Sequence, residues 1–324
     1  MRRVGGIWFV VIILLVPAVV SAQNLLGLGL PGLTSFGNSC SPGDKAPYSV
    51  AGQIGYLGYN HALVFERSAD GIVLGGIPNI RFTYPVEGLW LGASVGGGRQ
   101  WGPFVACDPG DPFCLVLGGS WLFANNKQAS EFLPADGSSR TWGPSIQWGT
   151  LYASLSCPAV WNFSVIGGFR YDSFLTKFAG PVATADFSSS DPTEEAQLSL
   201  TSYIPYVGAV AECGCIKLGV IGFPWVPGTI DYSETIAGGT VRYKAVGNYR
   251  SGQFLEASAA WGTRMGAVQV SAFATYTLLQ AVANSDFSRT PIGGVAATAP
   301  HTLSFNRQNW IFGGNLAIDF NLPF

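Results

Sequence analysis

From Trp310 to the carboxyl terminus, large apolar residues occupy almost every even position: Trp310, Phe312, Leu316, Ile318, Phe320, Leu322 and Phe324. Only Gly314 breaks that row. The odd positions between are mostly small or polar (Gly313, Asn315, Ala317, Asp319, Asn321), with Ile311 and Pro323 as exceptions. Alternation with a period of two describes a β-strand with one apolar and one polar face. The chain closes on Phe324, so no later element is expected to fold over the apolar side. A transmembrane β-barrel resolves this, because lipid covers the apolar face and the lumen receives the polar one.

On these residues the chain resembles the Gram-negative outer-membrane β-barrel proteins, whose final strand alternates in this way and ends in Phe. The resemblance implies an address in the bacterial outer membrane. It also implies a role for Phe324 in the signal read by the barrel assembly machinery. The amino terminus fits that address. Arg2 and Arg3 precede a short apolar run, Ile7 to Val20, broken by Pro17, and Val20-Ser21-Ala22 has the small-x-small pattern of a signal-peptide cleavage site. Roughly fourteen residues fall short of the ~20 that a spanning helix needs. The expected organisation is a signal peptide over 1–22, a periplasmic segment over 23–46 and a barrel over 47–324.

Composition supports lipid as the outer solvent. Charged residues make up 11% of the chain and 48% is hydrophobic, against about 25% charged in ordinary soluble domains. A lipocalin-like soluble barrel would need far more Lys, Glu and Asp on its exterior. The 43 glycines suit a narrow lumen. A net charge of −2 gives no footprint for nucleic acid.

Alternation marks ten strands, near 48–56, 80–95, 115–123, 142–155, 161–174, 198–211, 216–223, 254–261 and 267–278, then the closing strand. The phase of the sixth is ambiguous. Eight or twelve strands would follow from misreading residues 77–126. With both termini in the periplasm the count must be even. Short turns at 158–160, Gly214 and 264–266 then fall on the periplasmic side, with polar loops at about 59–78, 125–140, 179–196, 232–250 and 287–305 outside. The stretch 98–112 is long for a periplasmic turn.

Six cysteines, Cys40, Cys107, Cys114, Cys157, Cys213 and Cys215, all map to the periplasmic end. That compartment is oxidising, so disulfides are the expectation. Cys107–Cys114 closes a small loop and is the favoured bridge; Cys157 has Cys213 or Cys40 as competing partners. Zinc is a weaker alternative, because no His maps to that side.

No catalytic constellation is recognisable. His61 and His301 map to outer loops, where pairing with Asp70 or Asp286 would resemble the omptin proteases only in residue type. No cofactor is expected. The lumen is expected to hold Arg81, Arg170, Asp172, Glu256 and Asp319, since an Arg facing lipid at the midplane costs about 2–4 kcal/mol. Arg81 turns inward only if Pro85 marks a bulge. Arg170 and Glu256 fall in the same half and can meet across a narrow bore, as a salt-bridged filling or as a constriction for a small solute. The expected function is a non-enzymatic outer-membrane barrel, structural or narrowly permeable, with lipid, the assembly machinery and a small solute as partners. The alternatives are a rim-located hydrolase and a ligand-binding barrel acting through its outer loops.

Overall fold

A computed structural model describes residues 48–320, apart from 59–61, 70–79, 98, 102–103, 107–112, 126–128, 134–137, 161–162, 183–194, 237–240 and 292–296. The expected signal peptide, the segment 23–46, Cys40, Cys107 and Phe324 lie outside the described residues. So do His61 and Asp70.

The described chain is all-β and antiparallel. Ten strands follow one another around a ring: β1 (Tyr48–Leu57, continued by Ala62–Ala69), β2 (Ile80–Pro85, continued by Glu87–Gly96), β3 (Cys114–Asn125, continued by Ala129–Leu133), β4 (Ser138–Val160), β5 (Phe163–Val182), β6 (Glu195–Cys213), β7 (Ile216–Phe223, resumed at Gly228–Ile236), β8 (Val241–Met265), β9 (Val268–Pro291) and β10 (Ala297–Phe320). Closure is by β1 against β10, from Tyr48 opposite Phe320 to Leu57 opposite Ile311. The outer segments of β1, β2 and β3 repeat the closure higher up, with Phe65 opposite Phe305. Two short turns carry positive-φ glycines, Gly214 at 59° and Gly266 at 62°, where a side chain would be strained.

Four strands are much longer than alternation of lipid-facing residues suggests. β8, for example, has 25 residues and β10 has 24. Most of 125–140, 232–250 and 287–305 is therefore strand rather than loop, which corrects the expected map; in 179–196 the described residues are strand and 183–194 lie outside the described set. The reason lies in which face is apolar. On the inner part of β10, Trp310, Phe312, Leu316 and Ile318 are exposed, while Asn309, Asn315 and Asp319 are buried. On its outer part, Thr302, Ser304 and Asn306 face outward and His301, Leu303 and Phe305 are buried. From Trp310 to Phe320, at ~3.3 Å per residue and a tilt of ~40°, the strand rises about 25 Å, the height of a lipid-facing band. Aromatic rings rim this band: Tyr276 packs on Trp310 and Tyr171 on Tyr203 at one edge, and Tyr48 stacks on Phe320 at the other.

The long turn after β2 contains a small hairpin, Arg99–Trp101 against Phe104–Ala106. Its backbone approaches β1, β8, β9 and β10 as well as β4 and β6, strands on opposite sides of the ring. A hairpin outside the wall cannot do this. It lies across the mouth at the end that carries Tyr48 and Phe320.

Candidate functional site

At the level of the outer aromatic rim, side chains from five strands meet inside the barrel. Inward phase on β5 puts Arg170 and Asp172 on the luminal face, β8 supplies Glu256 and β10 supplies Arg307. The Arg170 Nε donates to Asp172 Oδ1 at 2.6 Å and its Nη1 to Glu256 Oε2 at 2.8 Å. Arg307 Nη2 donates to the second Asp172 oxygen at 2.7 Å. Thr150 and Thr277 hydroxyls complete the carboxylates, at 2.9 Å to Asp172 and 3.1 Å to Glu256. Both guanidiniums also lie over aromatic faces, Arg307 over Trp148 at 4.0 Å and Arg170 over Phe254 at 5.3 Å.

The charges in this waist cluster cancel. Two arginines meet two carboxylates, each carboxylate is bonded at least twice, and Asp172 is 2% exposed. A selective constriction ordinarily presents an excess of one sign to the passing ion. A charge-matched, desolvated set instead fills space, here with Arg307 Nε and Nη1 buried without a hydrogen-bond acceptor and the guanidinium laid over Trp148.

Above the cluster the interior is mainly apolar: Phe174, Leu198, Leu200, Ile230, Leu279, Leu303 and Phe305 belong to one buried cluster, with the rings of Phe174 and Phe305 6.0 Å apart, and Thr176, Glu234, Ser285 and His301 are buried among them. Below it remains a cavity of about 50 Å³, lined by Gln53, Trp90, Tyr152, Tyr206, Phe273 and Thr275 among others, room for a few waters. Glycines let the tyrosines lie flat across this space. A Cβ at Gly168 would collide with the Tyr206 phenol, and one at Gly118 with the Tyr152 phenol. Tyr206 also hydrogen-bonds Ser154.

A second polar group closes the inner end, where Arg264 Nη2 meets Asp319 Oδ2 at 2.6 Å and Gln269 donates to both Asp319 oxygens at 2.7 and 2.9 Å. The structure thus places Arg170, Asp172 and Glu256 together and puts Asp319 in a separate pair. Arg81 falls on the outer segment of β2, opposite Glu66 and Phe132, and its side chain is outside the described set. Arg307 and Arg264 escaped the sequence reading. Carrying the inward phase of β10 back from Asn315 through Ile311 and Asn309 would have found Arg307; Arg264 sits beside a turn, where phase gives no direction.

The suggested pairing of Asp286 with His301 is not formed. His301 lies in β10, fully buried, not in a loop, whereas Asp286 is exposed on β9 and so faces outward. Among the described residues no group of three or more His, Cys, Asp or Glu is placed to hold a metal. Cys114, Cys157 and Cys213 lie at the end of the wall that carries Tyr48 and Phe320. Cys157 and Cys213 are thiols, so the pairing considered between them is not formed, while Cys107 of the favoured Cys107–Cys114 bridge lies outside the described residues. Cys215 is disulfide-bonded.

No protein-family model matches the chain, and no curated protein matches it. Among solved structures it is similar to the outer membrane protease OmpT from Escherichia coli, with a TM-score of 0.63 and 9% identity over 87% of this chain and 100% of that one. Two others are the outer membrane protein OprG from Pseudomonas aeruginosa (TM-score 0.33, 12% identity, 86% of this chain and 99% of that one) and the translocator domain of the autotransporter NalP from Neisseria meningitidis (0.34, 10%, 94% and 98%). At 9% identity the likeness to OmpT is one of fold, and fold alone does not carry an activity. The chain has the antiparallel barrel architecture of outer-membrane proteins.

Proposed function

We propose that this chain is a non-enzymatic outer-membrane barrel with a sealed lumen, a structural protein that carries a rigid β-extension beyond the outer leaflet. The observation that carries the reading is the waist: Arg170, Asp172, Glu256 and Arg307 close the bore with matched charge beneath an apolar filling. The hairpin 99–106 across the inner mouth supports it independently. The signal peptide, the assembly role of Phe324 and the outer-membrane address belong to the same proposal. The alternative of a hydrolase at the rim would rest on His61 and Asp70, which lie outside the described residues.

Planar-bilayer recording tests the seal. The purified full chain is expected to insert, judged by heat-modifiable migration, without resolvable conductance steps. Deleting residues 99–106 should leave it closed, because the waist remains. A stable ohmic conductance in the intact protein would overturn the sealed reading in favour of a small-solute channel.

A further inference from the structure

The wall is irregular where β7 crosses the outer rim. β7 breaks at Pro224-Trp225-Val226-Pro227, where neither proline can donate to a ladder. Two backbone bonds hold the break in place, Tyr203 N–H to Pro227 O and Val226 N–H to Gly252 O, both 2.9 Å. Next to it, the register of β8 on β9 shifts between Tyr249 and Ser251, so that Arg250 and Ser251 are both exposed. Trp225 is 73% exposed, while Val226 beside it is 1% exposed and packs inward. The two irregularities together push an indole and a guanidinium outward at the top of the lipid-facing band.

Charge distinguishes this face further. The outward row of β8 continues upward from Arg250 through Lys244 to Arg242, all exposed. No salt bridge joins any of the three to a described carboxylate, whereas the charges at the waist are all paired. Two outward acids flank the row, the half-buried Asp231 on the outer segment of β7 opposite Val246 and the exposed Asp286 on β9 two residues from Ser288, and neither makes an ion pair with Lys244. Cross-strand neighbours of Lys244 are Ser233 and Ser288. On this part of the outer wall three cations that are not ion-paired rise above one aromatic step.

We propose that Trp225, Tyr203, Arg250 and Lys244 form a docking site for the phosphorylated headgroup of an outer-leaflet glycolipid. A site at this height on the outside of the wall meets headgroups before any soluble partner. The cations meet phosphate oxygens through charge-assisted hydrogen bonds, and the aromatic rings offer flat apolar faces to sugar rings at the interface where Trp and Tyr anchor. The inference rests on the membrane placement proposed above.

The test uses the full chain in nanodiscs, with insertion checked in every sample by heat-modifiable migration. A bisphosphorylated glucosamine-based lipid is compared with its dephosphorylated form by native mass spectrometry and thermal unfolding. The phosphorylated lipid is expected to bind at least tenfold more tightly and to raise the unfolding midpoint. Arg250→Ala with Lys244→Ala should abolish that preference, and Trp225→Ala should weaken binding severalfold for both forms. Arg242→Ala, higher on the wall, should have less effect than Arg250→Ala. Equal binding of the two lipid forms would overturn the proposal. So would a shift reproduced by inorganic phosphate alone, which would make the site one for free anions. Failure to insert would instead strike at the membrane placement.

Discussion

The inner and outer halves of the barrel obey opposite rules along the same strands. On β6, Glu195, Gln197, Ser199 and Thr201 point outward above the rim while Ala196, Leu198 and Leu200 point inward. Below it Tyr203, Val207 and Ala209 take the outward positions. β9 changes in the same way, from Gln280 and Asn284 outside to Val270, Ala272 and Tyr276 outside. Backbone pairing does not change across this line. On the proposed membrane placement only the solvent does: water surrounds the extension and lipid the band, so the apolar face moves from inside to outside. The waist cluster sits at the crossover, where an interior that is polar below meets one that is apolar above.

That contrast can be broken at four points. The largest effect is expected at Asp172, which binds both Arg170 and Arg307. Asp172→Ala leaves a buried positive charge without its partner, and losing one member of such a set costs about 3–5 kcal/mol. Urea-induced unfolding in detergent micelles measures it; a loss under about 1 kcal/mol would mean the cluster is well hydrated. Next comes Leu200→Ala in the apolar filling of the extension, where Leu200 is 2% exposed. The expected loss is about 2–5 kcal/mol, and a neutral result would show the extension to be hollow.

The third and fourth changes form a matched pair on β10. Leu316→Arg points a cation at lipid and is expected to cost about 2–4 kcal/mol near the midplane, read as reduced folding into vesicles. Thr302→Arg has the same strand and the same outward direction but faces water, and it should change stability by less than about 0.5 kcal/mol. Equal effects at the two positions would erase the distinction between the halves.

The same contrast explains how much was legible in the sequence. Within the lipid-facing band all ten strands could be read, because outward Leu, Val and aromatic residues stand against inward Ser, Gly and Asn, as on β10 from Trp310 to Phe320. The extension was misread as loop: an outward Thr302, Ser304 and Asn306 looks like exposed coil unless the inward Leu303 and Phe305 are weighed equally. The ambiguous phase of the sixth strand was the crossover itself. Its apolar residues fall on even positions at Ala196, Leu198 and Leu200, and on odd positions at Tyr203, Val207 and Ala209. Arg170 and Glu256 were legible as opposite inward charges on non-adjacent strands. Arg307 was not, lying three residues beyond the band's outer edge at Trp310. The hairpin 99–106 gave no signal beyond the unexpected length of its turn.

The most direct test of the two-zone account is a depth scan along β10. Spin labels placed one at a time at Ile318, Leu316, Phe312, Gln308, Ser304 and Thr302, all outward, are read by collision with oxygen, which concentrates in lipid, and with a water-soluble nickel chelate. The account predicts oxygen-dominated collisions at 318, 316 and 312, a reversal between 312 and 308, and chelate-dominated collisions at 304 and 302. Lipid-like values continuing through Thr302, or water-like values at Leu316, would contradict it.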